Sequence, residues 1–212
     1  MGHFALLCAV FLASGAHGAW PPGIPELPVL AWEQRSDWFN VISFGAVGDG
    51  KHDDTIPIQK ALDSVSLSHD GAAANKTVYF PAGTFLVTSQ LLINRTQGVL
   101  LIGTGRTTTL LWGGGLAPAP PPDTGVSRLL WCDGANRFHI EGFVFDGVSE
   151  GGVGIDHDSH TEYESRVIQR NLAFVNWRDA GIRVGHNQVR CCIARGVFRA
   201  RFFSAGVLRP LA

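Results

Sequence analysis

The chain has 212 residues, of which 45% are hydrophobic and 17% are charged, and its formal net charge at pH 7 is −1. This composition suits one globular domain with a buried core and excludes a chain that is disordered throughout. The near-zero charge, with lysines and arginines dispersed, creates no field that would gather nucleic acid or an anionic membrane surface.

The N-terminus has the pattern of a secretory signal peptide over residues 1–18. An apolar run from Phe4 to Ala13 is followed by small residues that fit the small-x-small cleavage pattern ending at Gly18. The run is too short to span a bilayer as a permanent anchor, and the alternative interpretation is a buried N-terminal helix. We therefore expect a secreted protein in which a proline-rich lead over residues 19–39 precedes a domain over residues 40–212.

Two sequons and the cysteine count bear on this prediction of export. Asn75 and Asn94 each begin an Asn-x-Thr triplet, which makes them candidate N-glycosylation sites in a secreted chain. Removal of the signal peptide leaves Cys132, Cys191 and Cys192, an odd number that cannot form a full disulfide framework. The sequence has no CxxC or Cys/His zinc spacing, so we expect a free thiol and no structural metal from these cysteines.

The stretch ISFGAVGDGKHDDT, from Ile42 to Thr55, contains G-x-x-x-x-G-K and is nearly a nucleotide-binding P-loop. A P-loop needs Ser or Thr after the lysine and free amides at a helix N-terminus, whereas here a histidine and two aspartates follow. Those carboxylates repel an anion and compete for the same backbone N–H groups. We therefore interpret the stretch as a turn after a strand over residues 40–44, with Asp53 or Asp54 capping a helix over residues 55–66.

Short β-type runs follow the predicted helix. They cover residues 77–83, 85–93 and 99–105 and are rich in the β-branched and aromatic residues that favour strands. The stretch from Gly113 to Gly125 is rich in glycine and proline, which excludes a helix or a central strand. It is predicted to form a long surface loop.

Beyond this loop the chain repeats itself in three similar segments, which begin at Ile140, Ile168 and Ile193. In each segment the Ile is followed five or six residues later by a Phe, and then by a Gly that precedes Ile or Val. The spacing is typical of stacked repeats and too short for a βαβ unit, so it predicts a β-solenoid. The landmark residues are Phe145, Phe174 and Phe198, and Gly154, Gly181 and Gly206.

From Asn40 to Leu111 the chain resembles the N-terminal part of the pectate-lyase-like superfamily, which holds rhamnogalacturonase-like and epimerase-like domains. NVISFGAVGDGKHDDTIPIQKALDSV, VYFPAGTFLV and VLLIGTG carry the resemblance. It implies an all-β fold, a right-handed parallel β-helix (β-solenoid) with a short N-terminal capping helix, in which the near-P-loop is a structural entrance turn. It also implies a polysaccharide ligand bound along the outer face of the coils.

The resemblance indicates which catalytic residues to seek. Polygalacturonase-like members use three close aspartates with a Gly-His-Gly and an Arg-x-Lys segment. This chain has no Asn-Thr-Asp triplet, matches Gly-His-Gly only in part at residues 185–187, and has no lysine after Lys76. A hydrolase of that type is not indicated, although a different carboxylate pair remains open.

The candidate catalytic residues lie in and near GIDHDSHTEYES, residues 154–165. If Ile155 points into the core, Asp156 and Asp158 point outward roughly 7 Å apart, a pair suited to Ca²⁺. The repeat places Arg183 beside Asp156 at about 4.8 Å between strands. A lyase of acidic sugars needs a metal near the uronate carboxylate and a base, for which Arg183 is the candidate. The alternative is a surface ion pair worth about 0 to 1 kcal/mol.

Several further residues have two open interpretations. Asp146 is a candidate acid near this face or a turn residue after a strand, and His186 is a possible neighbour of the same face. His139 is predicted to point outward by strand alternation. Three tryptophans are candidates either for stacking on sugar rings or for packing inside the solenoid. They are Trp112, Trp131 and Trp177.

Two classes of function remain open. The first is a secreted lyase or glycoside hydrolase acting on acidic or cell-wall polysaccharide, and the second is a non-catalytic glycan-binding or structural β-helix, because one fold serves both. The third repeat stops at Ala212 without a polar closing segment, which predicts a truncated product or a partner, such as a second copy, that covers the last coil. Nucleic-acid partners and membrane spans are not expected.

Overall fold

The computed structural model describes residues 27–65, 76–114, 127–157 and 166–184, together with the backbone of residues 193–200. Over these ranges the chain is mostly β, and it contains no helix of the length and apolarity that crossing a bilayer requires. The elements are β1 Phe39–Asn40, a 3-10 helix Val41–Phe44, β2 Asp49–Asp53, α1 Thr55–Asp63, β3 Thr77–Tyr79, β4 Gly83–Val87, β5 Leu91–Asn94, β6 Leu100–Ile102, β7 Thr108–Trp112, β8 Arg128–Asp133, β9 His139–Asp146, β10 Val153–His157, β11 Ile168–Trp177, β12 Ala180–Val184 and β13 Ile193–Ala200.

The strands form two sheets, and each ladder between named strands is parallel. The larger sheet, sheet 1, has the order β1-β3-β6-β9-β7-β4-β2, with β11 and β13 continuing from β9. The smaller, sheet 2, has the order β12-β10-β8-β5. Strands that pair are not consecutive in the chain, so each pass of the chain visits both sheets and lies on the preceding pass. This parallel pairing of non-consecutive strands is consistent with a β-helix-like fold.

The long strands β9 and β11 each turn a corner within the strand. β9 pairs with β6 before the corner and with β7 after it. The corner residues Gly142 (φ 80°) and Asn171 (φ 48°) have the left-handed backbone conformation that glycine and asparagine tolerate best. One strand therefore serves two parts of sheet 1.

The register of the repeats agrees with the landmark phenylalanines and glycines. Phe174 is opposite Phe145 on one side and Phe198 on the other. The isoleucines that begin the first two segments are offset by one residue, because Gln169 is opposite Ile140. Side chains alternate between the faces of a strand, so this offset of one residue puts Ile140 in the inward row and Ile168 in the outward row.

The core lies between the two sheets and includes a stack of aromatic rings. Phe145 and Phe174 are stacked with ring centroids 5.0 Å apart and planes inclined by 10°. Phe143 meets Phe80 edge to face at 5.1 Å, and Phe80 meets Phe85 in the same way at 5.6 Å. All five rings are fully or almost fully buried, so stacking of the passes repeats the same apolar contact from coil to coil.

Two predicted β-type segments differ from the structure. Residues 41–44 form a 3-10 helix instead of a strand because the side chain of Asn40 accepts a hydrogen bond from Ile42 N, and Gly45 (φ 103°) closes the turn by donating to Ile42 O. The run over residues 85–93 is divided between β4 and β5 by a turn at residues 88–90. Helix α1 begins at Thr55 as predicted and ends at Asp63, before the predicted end.

The near-P-loop is a turn whose amides are already occupied by a carboxylate of the chain itself. Asp54, which is fully buried, accepts hydrogen bonds from Val47 N at 2.7 Å and Gly48 N at 3.0 Å. Asp53 accepts from Thr55 N at 3.0 Å, so one of the two predicted capping residues does supply a bond to the first turn of α1. The backbone N–H groups that would hold a phosphate are thus satisfied internally.

Helix α1 covers the outer edge of sheet 2. The Gln59 side chain accepts a hydrogen bond from Leu92 N at 2.8 Å and donates one to Leu92 O at 2.9 Å, as a neighbouring strand would. Ile58, Ala61 and Leu62 of the same helix pack into the core. The first strand of sheet 2 is therefore protected from pairing with another chain.

Candidate functional site

A row of side chains crosses sheet 2 from one strand to the next. Asp156 of β10 is in register with Arg183 of β12 and with Trp131 of β8, and Trp131 is in register with Leu92 of β5. We call these four positions the sheet 2 row. The prediction that Arg183 lies beside Asp156 is confirmed.

Both oxygens of Asp156 accept hydrogen bonds from arginines. Arg183 Nε lies 2.8 Å from Oδ1, and Arg183 Nη2 lies 2.5 Å from Oδ2. Arg128 Nη1 is a second donor to Oδ2, at 2.8 Å. The carboxylate therefore sits between two guanidinium groups in an Arg–Asp–Arg cluster.

This cluster is far less exposed than a surface ion pair. The side chain of Asp156 is 0% exposed, that of Arg128 is 2% exposed and that of Arg183 is 26% exposed. The prediction that Asp156 faces solvent is therefore wrong: strand alternation does turn it away from Ile155, but Arg128 and Arg183 cover it. A buried carboxylate needs such charged partners because its desolvation is costly.

Sequence reasoning did not identify Arg128. Arg128 begins the run RLLW, which is typical of a buried strand. A charged residue in such a run needs a charged partner, and this was the signal in the sequence that could have identified Arg128. Its guanidinium also lies over the ring of Trp131, 4.6 Å from the centroid. Arg128 thus contacts two members of the sheet 2 row and fixes their relative positions.

The structure does not bring Asp146 to this site. Asp146 ends β9 in sheet 1, and its Oδ1 accepts hydrogen bonds from Val148 N at 3.0 Å and Asn176 Nδ2 at 2.9 Å. These contacts are those of a turn residue after a strand. The other two predicted members, Asp158 and His186, lie outside the described residues.

As placed, Asp156 fits Ca²⁺ poorly. Both of its oxygens already accept from guanidinium groups, whose positive charge opposes a cation at the same point. Within the described ranges, no three His, Cys, Asp or Glu side chains are grouped in a way that would hold a metal ion.

The three candidate tryptophans differ in exposure. Trp112 and Trp177 are 5% and 4% exposed, and Trp177 Nε1 donates to Phe145 O at 3.0 Å, so both are packing residues. Trp131 is half-buried on the sheet 2 row. Of the three, Trp131 alone retains surface that a sugar ring could contact.

A second polar group lies on the outer face of sheet 1. His139 is partly exposed between the buried residues Phe138 and Ile140, as predicted. His139 Nε2 lies 3.1 Å from Glu141 Oε2, although off the hydrogen-bonding direction, so the contact is mainly electrostatic. Burial lowers the pKa of His139 below its ordinary value of 6.5; Glu141 opposes this shift and Arg170 adds to it.

One predicted glycosylation site lies within the described residues. Asn94 is exposed at the end of β5, whereas Asn75 lies outside the described ranges. Cys132 is a buried thiol of β8, and the adjacent pair Cys191 and Cys192 also lies outside those ranges.

Comparison with known proteins finds a family similarity over the N-terminal part of the chain. A family model described as rhamnogalacturonase A/epimerase, pectate lyase-like, matches residues 38–114. Mannuronan C5-epimerase AlgE3 of Azotobacter vinelandii is 31% identical over 119 residues, which are 51% of this chain and 6% of that protein. Plasmin and fibronectin-binding protein A of Streptococcus pneumoniae is 48% identical over 59 residues, 28% of this chain and 8% of that protein.

A solved structure gives a related result for the fold. Geobacillus virus E2 ORF18 has a TM-score of 0.57 with this chain at 24% identity, covering 69% of this chain and 27% of that one. The chain spans less than a tenth of the length of the two curated relatives described above. The family match and these relatives agree with the parallel strands, and over residues 38–114 the chain is therefore similar to the pectate-lyase-like superfamily.

Proposed function

We propose that the chain is part of a secreted right-handed parallel β-helix that acts on an acidic polysaccharide, as a lyase, an epimerase-like enzyme or a glycoside hydrolase. The observation that carries the proposal is the sheet 2 row, in which a half-buried tryptophan, a buried carboxylate and a partly exposed arginine follow one another from strand to strand. Support for the substrate class comes from the similarity to a protein named as a mannuronan C5-epimerase.

Three members of the row have a part in this proposal. Arg183 is the member whose guanidinium is partly exposed, so it would bind the carboxylate of a uronate sugar. Trp131 would stack on a sugar ring. Asp156 would hold Arg183 in place, and Asp158 would contribute to acid–base chemistry or help to bind Ca²⁺.

The alternative is a glycan-binding β-helix without catalysis. It is favoured by the contacts of Asp156, since both carboxylate oxygens already accept hydrogen bonds from arginines and the side chain is fully buried, away from a substrate. Similarity to a protein named as binding plasmin and fibronectin also supports a binding role.

Polysaccharide turnover separates the two functions. The purified protein should release unsaturated uronides or reducing ends, or change the uronate composition, when it is incubated with alginate or polygalacturonate. Arg183→Gln should raise KM or abolish turnover, whereas Asp37→Asn, in an exposed ion pair with Arg35, should leave it unchanged. Binding of the polymer without any turnover would support the alternative, and neither binding nor turnover would reject both.

Processing of the proposed secreted chain is testable separately. Expression in a eukaryotic secretory host should yield a product that begins after Gly18 and carries N-glycans at Asn75 and Asn94. Asn94→Gln should remove one glycan, as measured by the mass shift on endoglycosidase treatment. An intact N-terminus on the exported product would contradict the signal peptide.

A further inference from the structure

Residues 27–32, which we call the N-terminal strap, lie across a corner of sheet 1. The corner is formed by residues 103–106, between β6 and β7, and by the bend of β9. Leu30 N donates to Thr104 O at 3.0 Å, and Arg106 N donates to Pro28 O at 3.3 Å. The indole Nε1 of Trp32 donates to Gly103 O at 2.7 Å. We propose that this corner is a binding groove for an extended peptide and that the strap occupies it. The bound strap would act as a clamp that holds passes of the chain together.

Two glycines give the groove its shape. A Cβ at Gly105 would collide with the carbonyl oxygen of Pro28, and a Cβ at Gly142 would collide with Gly103 O and the side chain of Leu30. Both glycines have left-handed φ values, +79° and +80°. The strap therefore lies where the corner presents backbone alone, and its own backbone approaches closely enough to form an antiparallel bridge between Val29 and Gly105.

An apolar anchor lies at one end of the strap. Leu27 is 3% exposed and packs against Val144 of β9 and Ala173 of β11, in a cluster separate from the main core. Val144 and Ala173 are adjacent in register and alternate with buried core phenylalanines, so they belong to an outward row of sheet 1. Without Leu27 this apolar pair would face water. The groove thus recognises a leucine, two backbone hydrogen-bonding groups and an indole N–H, in that order along an extended segment.

The strap joins passes of the chain that are not neighbours. It contacts the corner between β6 and β7, then the bend of β9, and through Leu27 it reaches β11. In a stacked fold each pass otherwise contacts only the passes next to it, so the ends can unravel locally. The clamp therefore links the β6–β7 pass to the β11 pass directly, and its release is expected to lower the cooperativity of unfolding.

The test uses the full chain and a matched glycine control. Gly105→Ala should release the strap, so that hydrogen exchange at the Leu30 amide accelerates at least tenfold and cleavage by chymotrypsin at Leu30 and Trp32 becomes faster. Gly50→Ala loses a glycine with a similar left-handed φ of +73° at a position away from the strap, so it should leave both rates unchanged. Equal exchange of the Leu30 amide in Gly105→Ala and the wild type would overturn the proposal.

A milder variant and a peptide keep the test decisive if Gly105→Ala does not fold. Trp32→Phe retains the ring and removes only the N–H donor to Gly103, so we expect about fivefold to tenfold faster exchange at Leu30. A labelled peptide with the sequence of residues 27–34 should bind to the full chain carrying Leu27→Ser and Trp32→Ser, where the intramolecular competitor is weakened, and not to the wild type. Absence of peptide binding to that variant, or unchanged exchange in Trp32→Phe, would show that the corner is not a peptide site.

Discussion

Arg128 and Asp156, which are 28 residues apart in the chain, form an ion pair of 2.8 Å in which neither side chain is more than 2% exposed. Removal of one partner from a buried pair leaves an incompletely compensated charge. Arg128→Met should therefore lower the free energy of unfolding by about 3 kcal/mol, measured by urea denaturation.

An exposed pair provides the control for this prediction. Arg178 and Asp179 are 2.9 Å apart with side chains 43% and 42% exposed, so Arg178→Met should cost no more than about 0.5 kcal/mol. Equal losses of unfolding free energy in Arg128→Met and Arg178→Met would mean that burial of the ion pair does not make its removal more costly.

The turn that resembles a P-loop yields a second prediction. Asp54→Ala removes a fully buried carboxylate that accepts from Val47 N and Gly48 N, and the loss of these two charge-assisted hydrogen bonds should destabilise the fold by about 3 kcal/mol. Asp49→Ala also removes two backbone hydrogen bonds, to Lys51 N and His52 N, but at a fully exposed carboxylate. Its effect should be smaller, and thermal unfolding of both variants compares them. A larger loss for Asp49→Ala would contradict this account of the turn.

The sequence allowed the stacking register to be predicted, since inward apolar residues recur in each pass. Arg183 does lie opposite Asp156, and Phe174 does lie opposite Phe145. The isoleucines that begin the first two segments differ by one residue in register, since Ile140 is opposite Gln169. Ile168 lies in the outward row with His139, so residue type alone did not indicate its face.

The environment of the site was much harder to predict than its register. Burial of Asp156 depends on Arg128, which comes from the preceding pass of the chain, and a repeat pattern gives no signal for a partner that occurs in one copy only. The docking of Leu27 on Val144 and Ala173 also joins residues far apart in sequence. The strand predicted over residues 41–44 was wrong because of local contacts. The hydrogen bond accepted by the Asn40 side chain and the turn at Gly45 outweigh the preference of these residue types for a strand.

The shifted pKa of His139 predicts a pH dependence of stability. Burial favours the neutral ring, so the pKa in the folded state lies below the ordinary value of 6.5, and the unfolded chain takes up a proton first as the pH falls. The free energy of unfolding should therefore keep its full contribution from His139 above about pH 6.5 and should decline as the pH drops below that value. His139→Gln should reduce this decline between pH 8 and pH 5 in urea unfolding experiments. Parallel curves for the variant and wild type would show that His139 does not contribute.

Gln59 supplies the last prediction, because it replaces a neighbouring strand at the edge of sheet 2. Gln59→Leu keeps a good helix former of similar size and leaves Leu92 N and Leu92 O without their side-chain partners, so we expect a loss of about 2 kcal/mol. Lys60→Leu, at an exposed position of the same helix, should change stability by less than about 0.5 kcal/mol. Because β5 would then present open hydrogen-bonding groups, Gln59→Leu should also promote self-association, which sedimentation velocity detects. A monomeric Gln59→Leu variant with wild-type stability would show that α1 protects this edge by packing alone.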